Sequence, residues 1–332
     1  MKMLPVLLIA AGIAAMAGLV LHFGAGSVAA ALLAVGLAGF ASVTLIHTVL
    51  IAVMGLAWQV LLPGTKPWVA VWGRFVRDAA SEVLPLSQVG GYVLGTRAIA
   101  LAGVPATIGV ASMIVDITLE FVGQLGYVAL GLIWLLHLHT DGIAPLAVVL
   151  GLVGASCLAV AFIAAQRRGM RYIERIPRIL GQGWAERTAA GAAALHQALD
   201  AIYRRRGGIW LSLLVHFACW VASASEIWVA LWFAGQPLPF GSAMVIESLV
   251  YAIRTTAFAV PNSVGVQEGA YILLGGAFGL SPEMALALSL LKRARDLAIG
   301  LPVIALLQAI EGGRLVRRAT AKAAPEPIVG QE

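Results

Sequence analysis

Long apolar runs separated by short polar or proline-bearing stretches set the pattern of this chain. Leu4–Leu21, Val28–Leu62, Thr107–Leu136, Ile143–Ala165, Ile209–Phe233 and Glu283–Ile310 are each long enough to cross a hydrocarbon core as a helix, which needs about 20 residues. Six full spans are predicted. Val28–Leu62 exceeds one crossing, so it is either a tilted helix or a surface elbow followed by a span. Leu4–Leu21 has no convincing Ala-x-Ala boundary before a polar mature chain and reads as a retained first span.

Two segments depart from this pattern. Residues 81–103 are apolar on average, yet they carry Glu82, Pro85, Gln88, Gly90, Gly91 and Arg97. Residues 241–280 carry Glu247, Arg254, Pro261, Asn262, Gly265, Gln267, Glu268 and Gly269. Irregular backbone survives at membrane depth only when protein or a water-filled cavity surrounds it. Both segments are therefore predicted to be broken or re-entrant helical hairpins.

The two also resemble each other. PLSQVGGYVLG runs from Pro85 through Tyr92 to Gly95, and PNSVGVQEGAYILLG runs from Pro261 through Tyr271 to Gly275. A second proline follows each, Pro105 or Pro282, and a carboxylate lies 15 or 14 residues beyond it, Glu120 or Asp296. The units 79–136 and 241–310 thus form an internal repeat. The crossings 107–136, 143–165 and 209–233 invert the second unit relative to the first, so one hairpin enters from the cytoplasm and the other from outside. Inverted repeats with interrupted helices point to a transport site near the bilayer midplane.

Composition fits this picture: 61% of residues are hydrophobic, 11% are charged, and the mean hydropathy is +0.93. A soluble domain carries about 25% charged residues. An ordinary soluble enzyme, a disordered chain and a coiled coil are excluded. A β-barrel fits poorly, because the apolar residues do not alternate. The expected fold is an all-α polytopic integral membrane protein with one transmembrane domain over 1–315 and a disordered tail over 316–332.

The net charge of +6 is concentrated beside apolar runs. Residues 166–208 hold nine Lys/Arg against three acids, and the tail adds Arg314, Arg317, Arg318 and Lys322. This is a positive-inside pattern, with both segments and both termini cytoplasmic. Such a surface attracts anionic headgroups, and no nucleic-acid partner is implied. Residues 63–78, with Lys66, Arg74 and Arg77, are also expected to be cytoplasmic, and Trp68, Trp72 and Phe75 suggest an interfacial helix. Cys157 and Cys219 read as packing residues. The pair His137-x-His139 reads as interfacial rather than metal-binding, and neither cofactor nor metal is expected.

Thirteen charges fall in or near embedded segments: Glu82, Arg97, Asp116, Glu120, Glu226, Glu247, Arg254, Glu268, Glu283, Lys292, Arg293, Arg295 and Asp296. Each central charge costs at least about 2.5–3.5 kcal/mol in lipid, so these must face one another or water. Internal ion pairs that lock helices together are one reading, and a polar site is the other. In the second, Arg254, Lys292, Arg293 and Arg295 bind a phosphate or hydroxyl-rich headgroup. Glu82, Glu120, Glu247, Glu268 and Asp296 balance them, bind polyol hydroxyls or take up protons. Gln88, Tyr92, Tyr251, Asn262, Gln267 and Tyr271 complete the expected substrate-binding set. Pro85, Gly90, Gly91, Pro261, Gly265 and Gly269 shape the hairpin backbones, and Gly91-xxx-Gly95 and Gly265-xxx-Gly269 permit close helix approach.

At these residues the chain resembles the lysylphosphatidylglycerol synthase transmembrane-region family. SEVLPLSQVGGY (81–92), TTAFAVPNSVGVQEGAY (255–271) and LLKRARDLAIGLP (290–302) carry the resemblance, within it to membrane proteins associated with hopanoid biosynthesis. Larger members join a lipid-flipping membrane domain to a soluble aminoacyl-transferase domain. This chain shows only the former, so the resemblance implies lipid flipping, a bacterial inner membrane and hopanoid metabolism. Embedded acids outnumber bases eight to five, which favours a polyol or amine-bearing headgroup over a purely anionic one. A lipid-modifying membrane enzyme and a non-catalytic scaffold for hopanoid-biosynthesis enzymes are the alternatives.

Overall fold

A computed structural model describes residues 14, 16–84, 87–138, 154, 157, 182–257 and 261–323, and all regular structure among them is helical. In chain order the helices are α1 (Ala25–Val60), α2 (Pro67–Val83), α3 (Ser87–Leu101), α4 (Ala106–Leu138), α5 (Gln182–Arg204), α6 (Arg206–Phe233), α7 (Phe240–Thr256), α8 (Val266–Ala277) and α9 (Pro282–Ala323). A membrane span must satisfy its backbone internally, and helices do this within one segment. Of these helices α1, α4, α6 and the Pro282–Gly313 part of α9 are long and apolar enough to cross a membrane. The chain is a multi-pass membrane protein. The spans expected at 4–21 and 143–165 lie largely outside the described residues.

α1 has 36 residues, but Gly36 leaves the helical region at φ 68° and ψ 175°. The residues from there to Val60 are by themselves enough for one crossing. α2 ends at Val83 and α3 begins at Ser87. Between them Leu84 is extended (ψ 142°), as the residue before a proline must be. Pro85 itself lies outside the described residues.

Gly90 and Gly91 sit inside α3 and make no turn, contrary to the expected hairpin. Their role there is packing: a Cβ on Gly91 would collide with Ser81 and the Arg77 carbonyl, and one on Gly95 would stand 2.8 Å from Arg77 Cβ. In the second hairpin the backbone is irregular. Asn262 (φ 54°), Ser263 (φ 48°) and Gly265 (φ 85°) all adopt left-handed angles between α7 and α8, and Pro261 opens the short 3₁₀ turn 261–263. A Cβ on Gly269 would meet nothing within 4 Å, so this glycine serves no close approach.

Two further expectations change. The basic segment 166–208 is not simply a loop: residues 182–204 form α5, whose Leu199 and Ile202 pack with Leu119 of α4 and Leu61. The tail expected to be disordered from 316 is helical to Ala323, because α9 continues through Arg314–Lys322.

The order long helix, 17-residue helix, short helix, long helix occurs twice, as α1–α4 and α6–α9. The packing follows the same exchange. α4 lies against α6 and α7, while α9 lies against α1 and α2, and α1 meets α6. Two large apolar cores result, beside three smaller ones. One joins the end of α1 to α2, α3, α4 and α5 around Trp58, Ile99 and Val115, and the other joins α6–α9 and α1 around Ile246, Leu231 and Leu288.

Candidate functional site

Between the long helices the interior is ionic. Arg74 and Arg77 stand one turn apart on α2 and are 3% and 4% exposed. Arg74 Nε donates to Asp78 Oδ2 at 2.8 Å, and its terminal nitrogens donate to both oxygens of Glu120 on α4, at 3.1 and 2.6 Å. Arg77 Nη1 donates to Asp116 Oδ2 at 2.9 Å, and Nη2 donates to Glu120. His216 of α6 closes this cluster, with Nε2 3.0 Å from Asp116 Oδ1. Tyr92 lies under the Arg77 guanidinium, 5.3 Å from ring centroid to Cζ.

A second cluster stands between α7 and α9. Lys292 pairs with Glu247 and lies 3.5 Å from Glu226 Oε2 on α6. Arg295 pairs with Glu226 and donates to Asp296 Oδ1 at 2.6 Å. Tyr271 donates to Glu247 Oε2 at 2.5 Å, and the Tyr251 ring faces both Lys292 (5.1 Å) and Arg254 (5.6 Å). His47 of α1 reaches this cluster, with Nδ1 2.8 Å from Glu226 Oε1 and Nε2 3.8 Å from Asp296 Oδ1.

The clusters occupy matching register. Arg74 and Glu247 are each the eighth residue of a 17-residue helix. Asp116 and Lys292 are each the eleventh residue of the following long helix, and Glu120 and Asp296 the fifteenth. At the first two places the charges are reversed between the halves: cation facing anion in one, anion facing cation in the other.

The tips of the broken segments touch. Arg254 Nη2 lies 3.2 Å from Glu82 Oε1, and Asn262 Nδ2 donates to the Glu82 carbonyl at 2.7 Å. Behind this contact, Glu268 caps α8 by accepting from the Gly265 N–H at 2.7 Å. It also accepts from Arg293 Nε at 2.6 Å and from Ser289 Oγ at 3.1 Å, while Gln267 donates to Ser289 at 2.8 Å. A cleft of about 20 Å³, room for one water, is lined by His47, Ile51, Asp78, Ala79, Glu82, Asp296, Ile299 and Gly300.

Most of the residues singled out in the sequence thus come together, but in ion pairs. Arg254, Lys292, Arg293 and Arg295, expected to hold a headgroup, each face a carboxylate. Gln88 is exposed and accepts from Tyr92 at 3.3 Å. The Arg97 side chain is 57% exposed and pairs with Glu311 at 2.7 Å, away from both clusters. Glu283 stands in the first turn of α9, where a carboxylate suits the positive end of the helix dipole.

Seven members of the clusters were not assigned to the site from sequence: Asp116 and Glu226, counted only among the embedded charges, and Arg74, Arg77, Asp78, His47 and His216. Arg74, Arg77 and Asp78 were expected in a cytoplasmic segment, but α2 carries them inward on one face. Their i, i+3, i+4 spacing beside Gly73 was the available signal. His47 and His216 are single histidines within apolar runs, a pattern that mostly marks satisfied core residues. Among the described residues no group of three His, Cys, Asp or Glu is placed to hold a metal ion.

A family model described as the lysylphosphatidylglycerol synthase TM region matches residues 5–303. No curated protein and no solved structure matches the chain.

Proposed function

The chain belongs to the lysylphosphatidylglycerol synthase transmembrane-region family, and from that premise we propose that it moves a lipid between bilayer leaflets, as a transporter or flippase. Such movement takes a polar headgroup through hydrocarbon while the tails remain in lipid. The headgroup therefore needs a polar path along the protein. Eight carboxylates and six Lys/Arg lie in ion pairs between these helices. Buried pairs contribute little to stability compared with apolar packing of the same volume, so stability alone gives no reason for so many.

The observation that carries the reading is the cleft beside the touching tips. Glu82 from one unit and Asp296 from the other border it, together with Asp78 and His47. Glu82 Oε2 has no hydrogen-bond partner there. Three carboxylates among otherwise mostly apolar lining suit a headgroup bearing hydroxyl or amine donors and repel a bare phosphate. A hopanoid with a polyol or amine-bearing headgroup meets that requirement, and a phospholipid whose headgroup bears such donors is the other class it admits.

Alternation follows from the repeat. The units 79–136 and 241–310, inverted relative to each other, rock about the contact of Glu82 with Arg254 and Asn262 and open the cleft to each leaflet in turn. The proposed setting is a bacterial inner membrane with both termini cytoplasmic. The basic residues of 166–208 then lie against anionic headgroups, where hopanoid-biosynthesis enzymes can also dock.

Purified protein in liposomes tests this. Labelled lipid is expected to exchange between leaflets with its mass unchanged. A changed mass would make the protein an enzyme. Neither change, in any donor-bearing lipid, would leave a scaffold.

A further inference from the structure

Each charge cluster has the same composition. Around α2 and α4, three carboxylates (Asp78, Asp116, Glu120) meet two guanidiniums (Arg74, Arg77) and one imidazole, His216. Around α7 and α9, three carboxylates (Glu226, Glu247, Asp296) meet two cations (Lys292, Arg295) and one imidazole, His47. With neutral histidine each cluster carries one uncompensated negative charge. An unpaired buried charge is costly, so each cluster favours one bound proton beyond its fixed charges.

The two sites differ in access. His216 is fully buried, and its Nδ1 has no partner. The His47 side chain is 23% exposed and borders the cleft. Both His47 ring nitrogens face carboxylate oxygens, Glu226 at 2.8 Å and Asp296 at 3.8 Å. Carboxylates only accept, and the hydrogen bond to Glu226 takes the single N–H of a neutral imidazole; the Asp296 oxygen, beyond hydrogen-bond distance, is favourable only as an ion pair with imidazolium. The charged groups around it are Asp78 and Glu82 from α2, Glu226 from α6, and Lys292, Arg295 and Asp296 from α9. Lys292 and Arg295 oppose a proton on His47, but both are already engaged by Glu247, Glu226 and Asp296.

We propose that His47 is a proton-binding site, open to the cleft, that couples lipid movement to a transmembrane proton gradient. The coupling part rests on the transport reading above. Loss of the proton leaves the cleft wall negative and receptive to a donor-bearing headgroup, and its return displaces that headgroup. Proton and lipid then move in opposite directions.

Two measurements on the full chain test this. In the first, labelled lipid is followed in liposomes with and without an imposed gradient of about two pH units, in a range where histidine titrates. Wild-type exchange is expected to speed up by about tenfold with the gradient, roughly 1.4 kcal/mol in a barrier, and His47→Gln to give equal rates under both conditions. A His47→Gln variant that keeps the gradient response overturns the coupling.

In the second, nitrogen-15 NMR of histidine-labelled protein follows the ring directly. The His47 signal is assigned by its loss in His47→Gln, or in His47→Asn should the first not accumulate folded. Imidazolium at about pH 7 that titrates reversibly is the expected result. A ring that stays neutral down to about pH 5 overturns the proton site. Should wild-type protein move no lipid, the transport reading and the coupling fall together, and the NMR titration still decides whether His47 binds the proton.

Discussion

Asp116→Ala is expected to destabilise the protein by about 3–5 kcal/mol, because it strands buried charge. Asp116 is fully buried and accepts from Arg77 at 2.9 Å and from His216 at 3.0 Å, with Arg74 at 3.7 Å. Alanine leaves the Arg77 guanidinium short of one acceptor, and no described neighbour beyond Asp78 and Glu120 is placed to replace it. Asp116→Asn keeps an oxygen for these donors and should recover part of the loss. Unfolding in detergent by heat or denaturant measures both. An unchanged transition for Asp116→Ala would mean that water reaches this cluster and screens it.

Arg254→Ala is expected to cost less stability and more transport. Its pair with Glu82 is part-buried beside the cleft (14% and 23% exposed), so the loss should fall below the cost of breaking a fully buried pair, about 3–5 kcal/mol. The same pair joins the two tips, together with Asn262 on the Glu82 carbonyl. Without it the units lose their charged contact, and lipid exchange should fall by at least about tenfold, roughly 1.4 kcal/mol in a barrier. Rates are read in liposomes beside an unfolding curve of the same preparation. A wild-type rate in Arg254→Ala would remove the tips from the lipid path.

How far the sequence reached follows from what each residue advertises. Apolar runs announce helices by length alone, and α1, α4, α6 and α9 were legible for that reason. Pro85 and Pro261 announced interruptions, and both breaks fall beside them. Gly90 and Gly91 misled, because a glycine pair in an apolar stretch reads equally as a turn or as a packing surface. Only the approach of Ser81 and Arg77 distinguishes the two. Arg74 and Arg77 were assigned to the cytoplasm because a basic residue near prolines and tryptophans looks interfacial. Their burial depends on Glu120 and Asp116, more than 35 residues away, which no local pattern reveals. The same holds for His47 and Glu226, separated by 179 positions. Charge bookkeeping from sequence gave eight acids to five bases. With Arg74, Arg77 and Asp78 included and Arg97 and Glu283 set aside, it becomes eight to six.

The most direct check on a headgroup path beside the touching tips is photo-crosslinking with a lipid whose donor-bearing headgroup carries a diazirine, followed by peptide mass spectrometry. Labelled peptides are expected to contain His47–Ile51, Asp78–Glu82 and Asp296–Gly300, the three stretches around the cleft. Labels confined to outward positions such as Leu33, Leu37 and Leu273, with none on those three stretches, would contradict the account.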